Sequence, residues 1–216
     1  MWVPPSHFAS VSAMQRYDSR TALVVVDLQN DFADPAGSLA VHGGLNLVPI
    51  INAEIAMARS EGGTVVFTQD WHPESTPHFA KDGGIWPVHC VAGTWGAELY
   101  EDVDIDAAVS APRIHKGANG EDGYSGFTMR DPVTGETTPT ELEPLLRDEQ
   151  VGRVVVCGLA TDYCVKATAL DAQRLGFETA VLLDAIRPVD LTPGDGERAI
   201  EEMTAAGVHA WSSRMR

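Results

Sequence analysis

Short apolar runs alternate with helical spacings of apolar residues from Ala22 onward. Ala22-Leu-Val-Val-Val26, closed by Asp27, is a continuous run of the kind that forms a strand buried on both faces. Leu47, Ile51, Ile55 and Ala58 recur at helical spacing over residues 45–59, and Gly62-Gly63 ends that helix. Residues 64–68 predict a second strand, followed by a long loop rich in Pro, Gly, His and Trp from Gln69 to about Trp95. Residues 113–116 predict a short third strand. Thr138-Pro139-Thr140-Glu141 has the pattern of a capping box with proline at the first helical position, opening a helix to Leu146. Strands follow at 153–158, 178–183 and, as a final edge, 208–210. Helices are expected over 163–175, stopped by Gly176, and from the cap Thr192-Pro193-Gly194-Asp195 to Ala206.

Strand alternating with helix, with strands apolar on both faces, predicts the α/β class: a three-layer α/β/α domain around a mostly parallel sheet. Residues 1–18 carry no such pattern and are expected to form an N-terminal arm, leaving 19–216 as a single domain. At 216 residues the chain buries about 70% of its unfolded surface, so a core needs no disulfide or metal to support it. Fifteen basic and thirty-one acidic residues leave a formal charge of −16. Such a surface repels phosphate backbones and anionic lipid, which excludes nucleic-acid and membrane-surface partners and leaves small molecules. Monomer and homo-oligomer are equally compatible with it. Three cysteines, an opening Met1-Trp2-Val3-Pro4-Pro5 without a basic, apolar leader, and no long apolar stretch predict a cytoplasmic protein with reduced thiols.

In parallel sheets ligands bind beyond the carboxyl ends of the strands, and four such ends carry reactive groups. The first ends in Asp27, the second leads to Asp70-Trp71-His72, the third ends in Lys116, and the fourth turns through Gly158-Leu-Ala-Thr-Asp-Tyr-Cys164. Taken singly, an acid there is ordinarily a turn residue and a lysine is ordinarily solvated. Their gathering at one sheet edge is the signal. Cys164 falls at the first turn of the expected helix, where unpaired N–H groups and the helix dipole favour a thiolate and can hold an oxyanion. Asp27 is the candidate base and Lys116 a balancing charge. Asp70, His72, His78 and His89 fall in or beside one loop and make a plausible site for zinc, iron or manganese. Phe32, Trp86, Tyr124 and Tyr163 flank these groups and together suit the walls of a slot for a flat ring.

Five segments together resemble the isochorismatase-like cysteine hydrolases, and within them the nicotinamidase/pyrazinamidase group. They are Val26-Asp-Leu-Gln-Asn-Asp-Phe32, Thr68-Gln-Asp-Trp-His-Pro73 with His78-Phe79, Trp86-Pro-Val-His-Cys90, His115-Lys-Gly117 with Tyr124-Ser-Gly-Phe127, and Gly158-Leu-Ala-Thr-Asp-Tyr-Cys-Val165. They run in family order from about Thr21 to the C-terminus. The resemblance implies Asp27, Lys116 and Cys164 as a catalytic triad and Asp70, His72, His78 and His89 as ligands of one divalent transition metal. It also implies oxyanion N–H groups from Ala160 and Cys164, with a cis peptide at Leu159-Ala160. The implied activity is hydrolysis of nicotinamide to nicotinate and ammonia, and of pyrazinamide, through a cysteine thioester, in pyridine nucleotide salvage. Three rivals stand beside it: hydrolysis of another small amide or ureide, catalysis by metal-bound water with Cys164 a bystander, and a binding module without activity.

Overall fold

The computed structural model describes residues 16–104 and 110–213. Its strands are β1 (Thr21–Val26), β2 (Thr64–Asp70), β3 (Arg113–Lys116), β4 (Thr128–Arg130), β5 (Thr137–Pro139), β6 (Arg153–Leu159), β7 (Glu178–Arg187) and β8 (His209–Trp211). The described α-helices are α1 (Asn30–Ala33), α2 (Val48–Ser60), α3 (Leu142–Asp148), α4 (Lys166–Arg174) and α5 (Asp195–Ala205). Six strands form one all-parallel sheet in the order β3-β2-β1-β6-β7-β8. The chain thus winds outward from β1 in both directions, which opens a crevice at the carboxyl ends of β1 and β6.

β1 shows why the sheet sits at the centre. Leu23 and Val25 pack on one side with Ile51 and Ile55 of α2. Ala22, Val24 and Val26 pack on the other with Leu142, Leu146, Ala169 and Met203 from α3, α4 and α5. A strand covered on both faces has no polar positions to spare, hence its unbroken apolar run.

Three local expectations shift. The capping box at Thr138 does not form: residues through Pro139 belong to β5, where proline is tolerated because this two-stranded ribbon is all edge. Glu141 precedes the helix without a side-chain cap, and Thr140 Oγ1 accepts the Leu142 N–H at 3.1 Å and donates to the Gly126 carbonyl at 2.6 Å. The β4–β5 ribbon itself is largely exposed and lacks an apolar face that patterning would reveal. The helix expected from Tyr163 starts with one wide π-type turn, Thr161–Val165, before α4.

Residues 1–15 of the expected arm lie outside the described residues, but its last three belong to the domain. Tyr17 is fully buried and its hydroxyl donates to Glu54 Oε2 at 2.7 Å. Arg16 pairs with Glu54 Oε1 at 2.5 Å and donates to the Ser212 carbonyl at 2.9 Å, so the clasp joins α2 to the segment after β8. Tyr17→Phe leaves one oxygen of a buried carboxylate without that donor. We expect a loss of about 1–3 kcal/mol in urea unfolding, and an unchanged midpoint would contradict the clasp. No helix among the described residues is long and apolar enough to cross a membrane.

Candidate active site

The carboxyl ends of β1, β2 and β3 converge on one buried ammonium ion. Asp27 follows β1 with φ at 47°, a left-handed conformation rare for a residue with a side chain and characteristic of functional turns. Its N–H donates to the Thr68 carbonyl at 3.1 Å, and Thr68 Oγ1 donates to Asp27 Oδ1 at 2.6 Å. Lys116 Nζ donates to Asp27 Oδ2 at 2.6 Å, pairs with Asp70 Oδ1 at 2.8 Å and donates to the Gly123 carbonyl. Asp27 and Lys116 are wholly inaccessible to solvent.

Two carboxylates share one ammonium, so their protonation differs. Burial pushes Asp27 up to about 6, the pull of Lys116 being partly cancelled by Asp70. Asp70 is buried too, but Lys116 and the neighbouring imidazoles hold it well below the ordinary carboxylate range. Burial opposes the charge of Lys116, yet Asp27 and Asp70 outweigh it and keep the ammonium protonated well above the ordinary lysine range.

β6 delivers the thiol to the same place. Gly158 has φ at 112°, and a Cβ there would lie 2.0 Å from the Val26 carbonyl oxygen, so only glycine lets β6 pass β1 at this point. The Leu159-Ala160 peptide is cis, as expected. Cys164 follows in the wide turn, with one donor atom each of Cys164, Asp27 and Asp70 within 4.8 Å of one another. The thiolate that the helix start favours is opposed by the surroundings of the sulfur. Burial pushes the thiol well above its ordinary range; Lys116 pulls it down, but Asp27 and Asp70 raise it further. A thiol raised in this way needs a base in order to react, and the carboxylate beside it is that of Asp27.

His72, His78 and His89 are brought together with donor atoms within 4.8 Å of one another, all buried. Asp70 Oδ2 lies 3.7 Å from Nε2 of both His72 and His89. The side chains fit a metal ion. Three imidazoles and a carboxylate are the donor set of zinc, iron or manganese. His72 is fully buried and neither of its ring nitrogens has a hydrogen-bond partner. Burial, opposed by Asp70, also holds it below the ordinary histidine range, so it stays neutral. A buried imidazole without a partner has the chemistry of a metal ligand. His89 Nδ1 lies 2.8 Å from the Pro87 carbonyl, which leaves Nε2 to face the cage.

Between cage and thiol runs a cleft of about 350 Å³, open mouth included, lined by Asp70, His78, His89, Ala160 and Cys164 and walled by Phe32, Trp86, Tyr124 and Tyr163. Trp86 and Tyr163 meet edge-on with centroids 4.8 Å apart, and the Trp86 indole N–H donates to the Tyr124 hydroxyl at 2.9 Å. All twelve residues singled out in the sequence therefore fall in or against this one site. Others were missed. Leu39 and Val189 complete the apolar lining. Gln29 holds Asp70 from both sides of its peptide, accepting from the Asp70 N–H at 2.8 Å and donating to its carbonyl at 2.7 Å. Asp162, two residues before Cys164, accepts the N–H groups of Val189 and Asp190, both at 2.9 Å. Gln29 and Asp162 stand inside the quoted motifs, which was the available signal; Leu39 and Val189 carried none.

A doubly wound parallel sheet brings a buried thiol, a carboxylate and an ammonium together at its switch point, and with the relatives that follow this defines an enzyme, an amidohydrolase. Residues 21–214 match the family model of the isochorismatase domain, and the chain belongs to that family. The nicotinamidase of Escherichia coli (strain K12) is 39% identical, over 86% of this chain and 92% of that protein. The structure of Pyrococcus horikoshii pyrazinamidase, in complex with zinc, is similar with a TM-score of 0.78 at 42% identity, covering 89% of this chain and 99% of that one. Yeast nicotinamidase bound to the inhibitor nicotinaldehyde gives 0.80 at 32% identity, with the same coverage of 89% and 99%.

Proposed function

We propose that this chain hydrolyses nicotinamide to nicotinate and ammonia, and pyrazinamide likewise, through a thioester on Cys164. One observation carries the reading: a thiol beside the Asp27 carboxylate and a nitrogen-and-carboxylate cage face each other across a single aromatic-walled cleft. A flat pyridine with its ring nitrogen toward the cage presents its carboxamide to Cys164. One divalent transition ion, zinc, iron or manganese, held by Asp70, His72, His78 and His89, supplies when bound a Lewis-acid contact for the ring nitrogen. The relatives named above support this substrate class.

Asp27 takes the Cys164 proton as the sulfur bonds to the carboxamide carbon. The N–H groups of Ala160 and Cys164 hold the oxyanion. Asp27 then gives its proton to the amide nitrogen, the C–N bond breaks, and ammonia leaves. Next, Asp27 deprotonates water, which attacks the thioester; the acid departs and the sulfur regains its proton. Lys116 keeps a negative Asp27 tolerable in the interior throughout. A carboxyl near 6 is suited to both transfers, since it is neither a feeble base nor a feeble acid at neutral pH. Phe32, Trp86, Tyr124 and Tyr163 hold the ring. The acidic surface and the three unpaired thiols agree with a cytoplasmic setting in pyridine nucleotide salvage.

Ammonia release from nicotinamide, compared with release from aliphatic amides and ureides, tests the substrate. A strong preference for the pyridine amide is expected; faster turnover of a non-aromatic amide overturns the ring-specific reading. The pH profile tests the base. Because ionised Asp27 is the active form, kcat/KM falls on the acid side of about pH 6, where that carboxylate is protonated. A profile flat down to pH 4 would exclude it as the base.

A further inference from the structure

Three consecutive residues after β3 reach three parts of the site. The Gly123 carbonyl accepts from Lys116, and Tyr124 accepts from Trp86 in the slot wall. Asp122 is left without a part in the mechanism, yet its Oδ1 lies 2.7 Å from Nδ1 of His78. The carboxylate is held firmly there. Asp122 and Arg130 exchange backbone hydrogen bonds in both directions, at 2.7 and 3.0 Å. Its other oxygen, Oδ2, takes the Arg130 guanidinium at 3.3 Å. Thr76, two residues before His78, donates its hydroxyl to the Gly120 carbonyl at 2.8 Å, which ties the two loops together a second time.

With Nδ1 engaged, Nε2 is the ring atom His78 has left for the cage. The three imidazoles are therefore held differently: His78 by a carboxylate, His89 by a carbonyl, and His72 by no hydrogen bond among the described residues.

We propose that Asp122 is a positioning residue of the metal cage, taking the Nδ1–H of His78 so that the Nε2 lone pair faces the ion. The proposal rests on the reading of Asp70, His72, His78 and His89 as ligands. A carboxylate on the far nitrogen fixes the tautomer and ring orientation and makes the imidazole a stronger donor, and such outer partners typically contribute 10- to 100-fold in metal affinity. Nothing in the local sequence marks Asp122, which reaches His78 from 44 residues away.

The test is zinc titration of the metal-free full chain against a chromophoric chelator, with thermal melting of the same metal-free samples. Asp122→Ala is expected to lose about 10- to 100-fold in zinc affinity, and Asp122→Asn, which keeps the shape without the charge, a smaller part of that. Arg130→Ala, which removes only the exposed outer ion pair, is expected to bind zinc as the parent does. If the alanine variant fails to fold, the asparagine variant decides. Parental affinity in the Asp122 variants overturns the proposal, as does an equal loss in Arg130→Ala, which would mark a purely scaffolding effect. Should the parent bind no zinc, or His89→Ala bind it undiminished, the ligand reading itself fails and Asp122's role falls with it.

Discussion

Cys164→Ala abolishes ammonia release from nicotinamide, a loss of at least about 10⁴-fold, while the protein keeps its fold. The size follows from the lack of a substitute nucleophile. Cys90 and Cys157 are both fully buried, and neither lines the cleft as Cys164 does. Cys157 faces the Val24 carbonyl inside β6 and never meets the cleft. The alanine variant retains the slot and the cage, so it should still bind nicotinamide; only the covalent step is lost. Were an activated water on the metal the nucleophile, with the sulfur a bystander, the variant would keep substantial turnover. Steady-state ammonia release, with substrate binding measured alongside, separates the two.

Lys116→Met is the second large effect, and it falls on stability as well as activity. Lys116 Nζ lies 2.6 Å from Asp27 and 2.8 Å from Asp70, with all three side chains out of solvent. Removing the ammonium leaves two carboxylates facing each other in the interior. Breaking a buried ion pair by deleting one partner typically costs about 3–5 kcal/mol, because the remaining charge is stranded. We expect a loss of that size in denaturant unfolding of the metal-free protein. The acid limb of any residual activity should also move upward, since Asp27 loses the one neighbour that most lowers its pKa. A variant as stable as the parent would show that the charges are not coupled as described.

The α/β class and the site edge were legible in the sequence for a physical reason. A parallel sheet packed on both faces forces unbroken apolar strands such as Val24-Val25-Val26, and its geometry sends the residue after each strand into the crevice. Asp27, Lys116 and Cys164 could therefore be placed at one edge without coordinates. What stayed hidden depends on contacts across the chain. The β4–β5 ribbon buries too little to leave an alternating pattern. Leu39 and Val189 are ordinary apolar loop residues until the fold turns them to the cleft. For the Cys164 thiol the start of a helix is one influence among several. Deep burial beside Asp27 and Asp70 outweighs it, and only the assembled site reveals that sum.

In the proposed mechanism the acyl group passes through the Cys164 sulfur. Acid quenching of the enzyme during turnover of nicotinamide, followed by peptide mass mapping, examines it directly. A nicotinoyl thioester is expected on the Cys164 peptide, appearing before nicotinate and decaying as substrate runs out. Nicotinate accumulating while that peptide stays unmodified at every quench time, with Cys164→Ala still turning over, would contradict it.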